Sequence, residues 1–280
     1  MREAPRHPGP PRAERIASLA CRARPLRLRL RAGLPLDQAM AEAFAAQGHK
    51  AGYLRLRGID MARIDYVRPA PAPGHGPVAW YSATERLEPA WLAEAGLHLG
   101  RRDGAAFVHG HGLWRGTEEG ALRMGHLLGP DCRLGAEVEA VGWGLSGAML
   151  SVEADAETGF SLFVPIAAPS DDTTGGHPAA LCALRPHVDL HAGLATVAAQ
   201  HGLARARIEG LGSLVGAAFD DAPGLDSLAT EVLVTRGDID RGRVRIAAAA
   251  IGFDGDPVQG ELREGANAVC VTSEMLLIGS

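Results

Sequence analysis

The chain repeats itself. At a fixed offset of 154, Leu30, Arg31, Leu36, Ala41, Ala45, Gly48 and Gly58 recur as Leu184, Arg185, Leu190, Ala195, Ala199, Gly202 and Gly212. The physical pattern recurs with them. Leu36, Met40, Ala43 and Phe44 form an i, i+4, i+7, i+8 apolar stripe, and Leu190, Leu194, Val197 and Ala198 form the same one. Each stripe predicts a helix of about three turns with one buried face. Gly48 and Gly202 stand where a helix ends in a left-handed residue. A short strand precedes each helix (LRLRL; ALCAL) and another follows it (AGYLRLRGI; RARIEGLGS). Further on, Ala83-Thr84-Glu85 matches Ala229-Thr230-Glu231, and Gly125-His126-Leu127 matches Gly260-Glu261-Leu262. Two β-α-β-then-strands domains of one type follow; the period is too long and the copies too few for a solenoid.

Within the first copy, Phe107 to Leu128 (FVHGHGLWRGTEEGALRMGHLL) holds three histidines that a hairpin brings together. His109 and His111 are two apart, so on a strand both side chains leave one face. A turn at Thr117-Glu118-Glu119-Gly120 sets His111 directly across from His126. Opposed residues have Cβ atoms roughly 4.5–5.5 Å apart, and His109 becomes the diagonal neighbour at about 7–8 Å. Three imidazoles so placed can hold one ion at about 2.0–2.1 Å each and leave a fourth position open. Neutral imidazole suits zinc, copper, iron and nickel; zinc is the expected metal. Gly110, Gly112 and Gly125 beside the histidines leave room for close packing. The bland reading is a surface hairpin that happens to carry histidines.

The join between copies falls at residues 155–178, whose Ser-Asp-Asp-Thr-Thr-Gly-Gly run and flanking prolines are loop chemistry. Phe160, Leu162 and Phe163 are too apolar for a free linker, so the first part of the join should dock on a domain. Arg68 to Trp80 reads as a surface loop. Residues 1–24 read as a disordered Arg-rich lead-in, which puts the domains at 25–154 and 179–280. Four scattered cysteines, Cys21, Cys132, Cys182 and Cys270, form no CxxC pair and point to a reducing cytoplasm. No apolar run approaches the roughly 20 residues of a membrane span.

The HxH pair followed some fifteen residues later by GHL, the ATE strand and the second-copy GLGSLVGAAF resemble the PPC domain (plants and prokaryotes conserved), in two tandem copies from about Leu26 onward. That resemblance implies an α+β fold, with a mixed, largely antiparallel sheet packed by helices. It implies a metal site at His109, His111 and His126. It also implies homotrimeric assembly: a ring needs three domain positions, one chain fills two, and a trimer of chains closes without mismatch. Plant relatives carry the domain beside AT-hooks and act on DNA; prokaryotic members mostly have no established activity.

The second copy departs from this pattern. It has no histidine after His201, the HxH pair falls in the alanine-rich Ile246 to Ile251, and Glu261 stands in place of His126. The expected function is therefore a metal site in the first copy that binds a small molecule, with catalysis open because no general base is identified. A cupin-like metalloenzyme is a second reading, weakened because a cupin glutamate follows HxH by four or five residues and Glu118 is seven on. Other candidates weigh as surface or core. Glu85 and Glu231 read as a shared structural need, Asp131 and Glu137 as solvated charge, and Trp114 as core or interface. Arg101, Arg102 and Arg123 read as solvated, and His98 has no partner spacing.

A DNA-associated regulator is the alternative from the plant branch. Against it stand a net charge of −5, no Gly-Arg-Pro core, and no helix with a base-reading face. Arg27, Arg29 and Arg31 with the lead-in form the only basic patch. DNA binding is expected to be weak and unselective. In a salt titration on mixed and AT-rich duplexes, affinity should fall by a log–log slope of about −0.9 per phosphate neutralised. Submicromolar, sequence-selective binding near physiological salt would move the regulator reading first.

Overall fold

The computed structural model describes residues 5–74, 76–116, 120–168 and 175–280. The first half runs β1 (Ile16–Leu30), α1 (Leu36–Ala46), β2 (Gly52–Val67), β3 (Pro69–Pro71), β4 (Ala79–Tyr81) and β5 (Glu85–Leu87). It continues through β6 (Ala90–Arg102), β7 (Ala105–Arg115), β8 (Arg123–Leu127), β9 (Arg133–Leu134), β10 (Val138–Ser146), β11 (Ala148–Ala154) and β12 (Ser161–Ala167). The second half is β13 (His177–Leu184), α2 (Leu190–Gln200), β14 (Arg205–Leu214), β15 (Thr230–Asp240), β16 (Arg243–Ile251), β17 (Val258–Glu261) and β18 (Val269–Gly279).

Both predicted helices form, each eleven residues long. Leu36, Met40 and Phe44 are buried in the first, and Leu190, Leu194, Val197 and Ala198 in the second. Gly48 and Gly202 follow at φ +80 and +65, in the region that favours glycine. The expected α+β class is corrected to a mainly β fold with two helices among the described residues. The strands outrun the motifs that announced them. β1 and β2 are 15 and 16 residues long, and sixteen strands of the described residues join one sheet.

The two halves share a strand order. From the outer edge inward, β8-β7-β6-β2-β10-β1 mirrors β17-β16-β15-β14-β18-β13, with β8 also returning to pair β2. They meet where β1 pairs β13, from Ile16↔Leu184 to Ala23↔His177. So strand structure begins at Ile16, inside the expected lead-in. The reason is the free edge of β13, whose backbone groups need partners that Ile16–Ala23 supply. The join also behaves as its apolar residues require. β12 pairs β11, and Phe163 is buried.

Each half has its own core, one around Leu28, Phe44, Leu56 and Leu97, the other around Leu194, Ile208, Val234 and Leu277. A third set straddles the halves: Leu113 and Met124 from the first pack on Leu211, Leu233, Ala249 and Ile251 from the second. Beside it lies Arg55, 6% exposed. It pairs with Glu94 in its own half and with Glu209 in the other, and donates to the Val234 carbonyl at 2.8 Å. Arg55 and Glu209 are 154 apart, the repeat offset itself. One repeat position thus carries opposite charges in the two copies and meets itself across the seam.

Removing one partner of a buried ion pair leaves the other charge uncompensated, at a cost of about 3–5 kcal/mol. Arg55→Met should lose that much in urea unfolding, and Arg55→Met with Glu209→Gln should recover a good part of it. A loss below about 1 kcal/mol in the single variant would mean that the pair does not hold the seam.

Candidate metal centre

The histidines sit as the hairpin predicts. β7 and β8 pair with His111 directly opposite His126, and Gly112 opposite Gly125. Of the expected turn, Thr117, Glu118 and Glu119 lie outside the described residues. The glycines keep the far face thin. A Cβ on Gly112 would stand 2.8 Å from the Glu94 carbonyl oxygen, and one on Gly125 would run into the Val67 carbonyl. Val67 is also the strand partner of His126, because β2 is long enough to pair β6 early and β8 at its end.

Three imidazoles converge. Ring centroids are 5.0 Å apart for His109 and His111, 4.8 Å for His109 and His126, and 5.5 Å for His111 and His126. The Nε2 atoms of His109 and His111 are 3.3 Å apart, and one ligand atom from each ring lies within 4.8 Å of the others. Tetrahedral bonds of about 2.0–2.1 Å put ligand atoms roughly 3.3–3.4 Å apart. The first pair meets that spacing as it stands, and His126 needs a shift of an ångström or so.

The second half closes the site. Glu231 of β15 pairs with His111 Nε2. The Val232 carbonyl lies 2.9 Å from His111 Nδ1; a carbonyl only accepts, so Nδ1 carries the proton and Nε2 faces the cluster. Glu274 of β18 puts its carboxylate 3.4 Å from His109 Nδ1, and its backbone carbonyl accepts from His98 Nε2 at 3.1 Å. His98 stands opposite His109 on β6.

Burial sets the charges. It lowers His109 to about 3, with His111 adding repulsion, and lowers His126 well below the ordinary value. Burial opposes charge on His111 too, but the Glu231 carboxylate outweighs it and raises that group. Burial raises Glu274 to about 7, against the pull of His98. For Glu231, burial is outweighed by His111, and the carboxyl stays below its usual range. Two imidazoles are thus held neutral, with lone pairs free for a metal. His126 Nδ1 and Glu274 Oε2 are buried without a hydrogen-bond partner among the described residues, so the donor set fits a divalent ion better than it satisfies itself.

The remaining candidates fall elsewhere. Trp114 is fully buried against Tyr66, edge to face at 4.7 Å, and belongs to the core. Glu137 pairs with Arg29 on the surface, and Asp131 is 55% exposed. Glu85 pairs with Arg68 and accepts from Tyr66, away from the cluster. The expected equivalence of Glu85 and Glu231 fails, since β5 pairs the end of β2 whereas Glu231 lies on β15 opposite Ser213. Of the arginines, Arg102 reaches the cavity over the histidines, while Arg123 donates to Tyr66 and Arg101 to Ser151. Sequence reasoning missed Glu274, although a glutamate inside the apolar run VCVTSEMLLIG is itself a signal.

No family model matches the chain, and no curated protein does. Among solved structures, the chain is similar to a plant- and prokaryote-conserved (PPC) protein of Pyrococcus horikoshii, at 17% identity and TM-score 0.40, over 52% of this chain and 94% of that one. A metal-containing protein from Archaeoglobus fulgidus matches at 21% identity and TM-score 0.39, over 51% and 94%. A protein from Ralstonia eutropha described as a "putative DNA-binding protein" matches at 15% and 0.39, over 49% and 88%. Each covers about half of this chain. No helix of the described residues is long and apolar enough to cross a membrane.

Proposed function

We propose that this protein is a tandem PPC-type protein that binds one divalent metal ion, zinc first, through His109, His111 and His126. The observation that carries the reading is the 3.3 Å spacing of two imidazole nitrogens with a third within 4.8 Å. Neutral imidazoles are what zinc takes: His109 and His126 are held so by burial, and His111, oriented by the Val232 carbonyl, would give up its Nε2 proton on binding. Glu231 holds its carboxylate against His111 Nε2, the nitrogen that would bind the ion, so a bound ion would take the place of the proton between them. The mirrored strand order of the two halves supports the tandem reading. It also gives the copy without the HxH and GHL histidines a task, which is to roof the site of the other.

The three histidines line a cavity of about 210 Å³, and we read that cavity as the seat of a small-molecule ligand. A bound ion would supply a Lewis acid able to polarise a carbonyl or acidify a bound water. The chain's own groups position the imidazoles, exclude bulk water and hold carboxylates beside them. Protein prepared without an affinity tag or chelator should carry about one zinc per chain by elemental analysis. The triple substitution of His109, His111 and His126 to alanine should carry none. Equal metal in both would refute the site.

Assembly is a separate proposal. Three chains with like copies in like positions close a ring without an open interface, so sedimentation equilibrium should give a homotrimer at micromolar concentration. A stable monomer there would end that idea.

A further inference from the structure

Aromatic residues make up only 5% of the chain, yet Trp80, Tyr81, Phe107, Phe160 and Phe163 all line the one cavity above the histidines. Trp80 and Tyr81 are 48% and 40% exposed, two of the three large apolar side chains left open to water among the described residues. Exposed apolar surface in one place, rimmed by polar groups, marks a binding site. The rings stand in three contacting groups. Trp80 meets Phe160 at 6.1 Å, Phe107 meets Phe163 edge to face at 5.6 Å, Phe163 meets His109 at 6.1 Å, and Tyr81 meets His126 at 5.5 Å. Two of these groups end on imidazoles, those of His109 and His126.

Size narrows the occupant. An apolar cavity of about 150 Å³ accepts benzene, so about 210 Å³ accepts one ring with a substituent of a few heavy atoms. Charge narrows it further. The floor holds Glu231, Glu274, Thr230 and Thr272 but no lysine or arginine. The one arginine in the lining, Arg102, is exposed and stacks on Phe107 with its guanidinium 3.8 Å from the ring centroid. Glu231 and Glu274 together would balance the two charges of a bound divalent ion, so an anionic head would leave the floor with an excess negative charge, and a neutral oxygen would not. The Thr230 hydroxyl donates to the Gly216 carbonyl and the Thr272 hydroxyl to the Glu274 carboxylate, so the oxygen of a ligand is left to the imidazole cluster.

We infer that the cavity binds a neutral single-ring aromatic molecule bearing a carbonyl or amide oxygen, the ring between the aromatic walls and the oxygen at the imidazole cluster. The inference rests on the metal-site reading for the last contact only; the aromatic walls stand without it. Benzamide is the test probe, with benzoate and acetamide as comparators, titrated into the intact chain by calorimetry and by saturation-transfer NMR. Zinc content is measured on the same sample.

Benzamide should bind, with saturation reaching its ring protons. Benzoate should bind at least tenfold more weakly, and acetamide not detectably. Trp80→Ala and Tyr81→Ala, both at exposed positions, should each weaken benzamide about three- to tenfold while circular dichroism stays unchanged. Zinc-loaded protein that ignores benzamide, or that prefers benzoate, overturns the inference and leaves the metal site standing. Benzamide binding that is indifferent to Trp80 and Tyr81 also overturns it. Benzamide binding with the expected variant losses in a protein that holds no zinc upholds the aromatic cavity and refutes the metal reading alone.

Discussion

Everything in this molecule depends on the seam between its halves. Leu113, Met124, Leu211, Leu233, Ala249 and Ile251 form an apolar patch that neither half can cover alone, and the gain from burying it is what draws the halves together. Arg55 fixes which surfaces meet. Its guanidinium is satisfied by Glu94, Glu209 and the Val234 carbonyl. Because Arg55 and Glu209 hold the same repeat position, two identical copies would set arginine against arginine or glutamate against glutamate. Opposite charges there favour the pairing of unlike copies and disfavour like ones.

The site follows from that seam. A β7–β8 hairpin alone would carry its histidines on an open face, where water would solvate the rings. With β15 and β18 packed over it, the rings lose water, and His109 and His126 lose their affinity for protons. The same burial that makes the imidazoles neutral would be costly without partners, and the partners come from the covering half. Val232 orients His111, Glu231 offsets its charge, and Glu274 lies against His109. One copy supplies the nitrogen donors, and the other supplies the enclosure and the carboxylates.

Much of this was legible in the chain. The helices at Leu36 and Leu190 were, because a 3.6-residue apolar period and a following glycine are local properties. So was the opposition of His111 and His126, because strand pairing has a period of two. The class was misjudged. Two short helices are conspicuous in sequence, whereas strands such as β2 run on through polar and apolar residues alike, held by pairing with neighbours far along the chain. Matching Ala83-Thr84-Glu85 to Ala229-Thr230-Glu231 misled for the same reason: sequence likeness set Glu231 beside the wrong partner, and only strand register places it against His111.

What the sequence by itself determined is whatever depends on residues within one turn or one hairpin: the two helices, their glycine stops, the three-histidine face and the repeat. What only the tertiary structure decided is which half covers which. That choice turned Glu231 from a repeat residue into a neighbour of His111 and drew Glu274 out of an apolar strand into contact with His109. It also gathered Trp80, Tyr81, Phe107, Phe160 and Phe163 around one cavity. The physical reason is range. A period of two or 3.6 is written in adjacent residues, but the burial of a carboxylate beside an imidazole more than a hundred residues away depends on how whole sheets pack, and no local pattern records it.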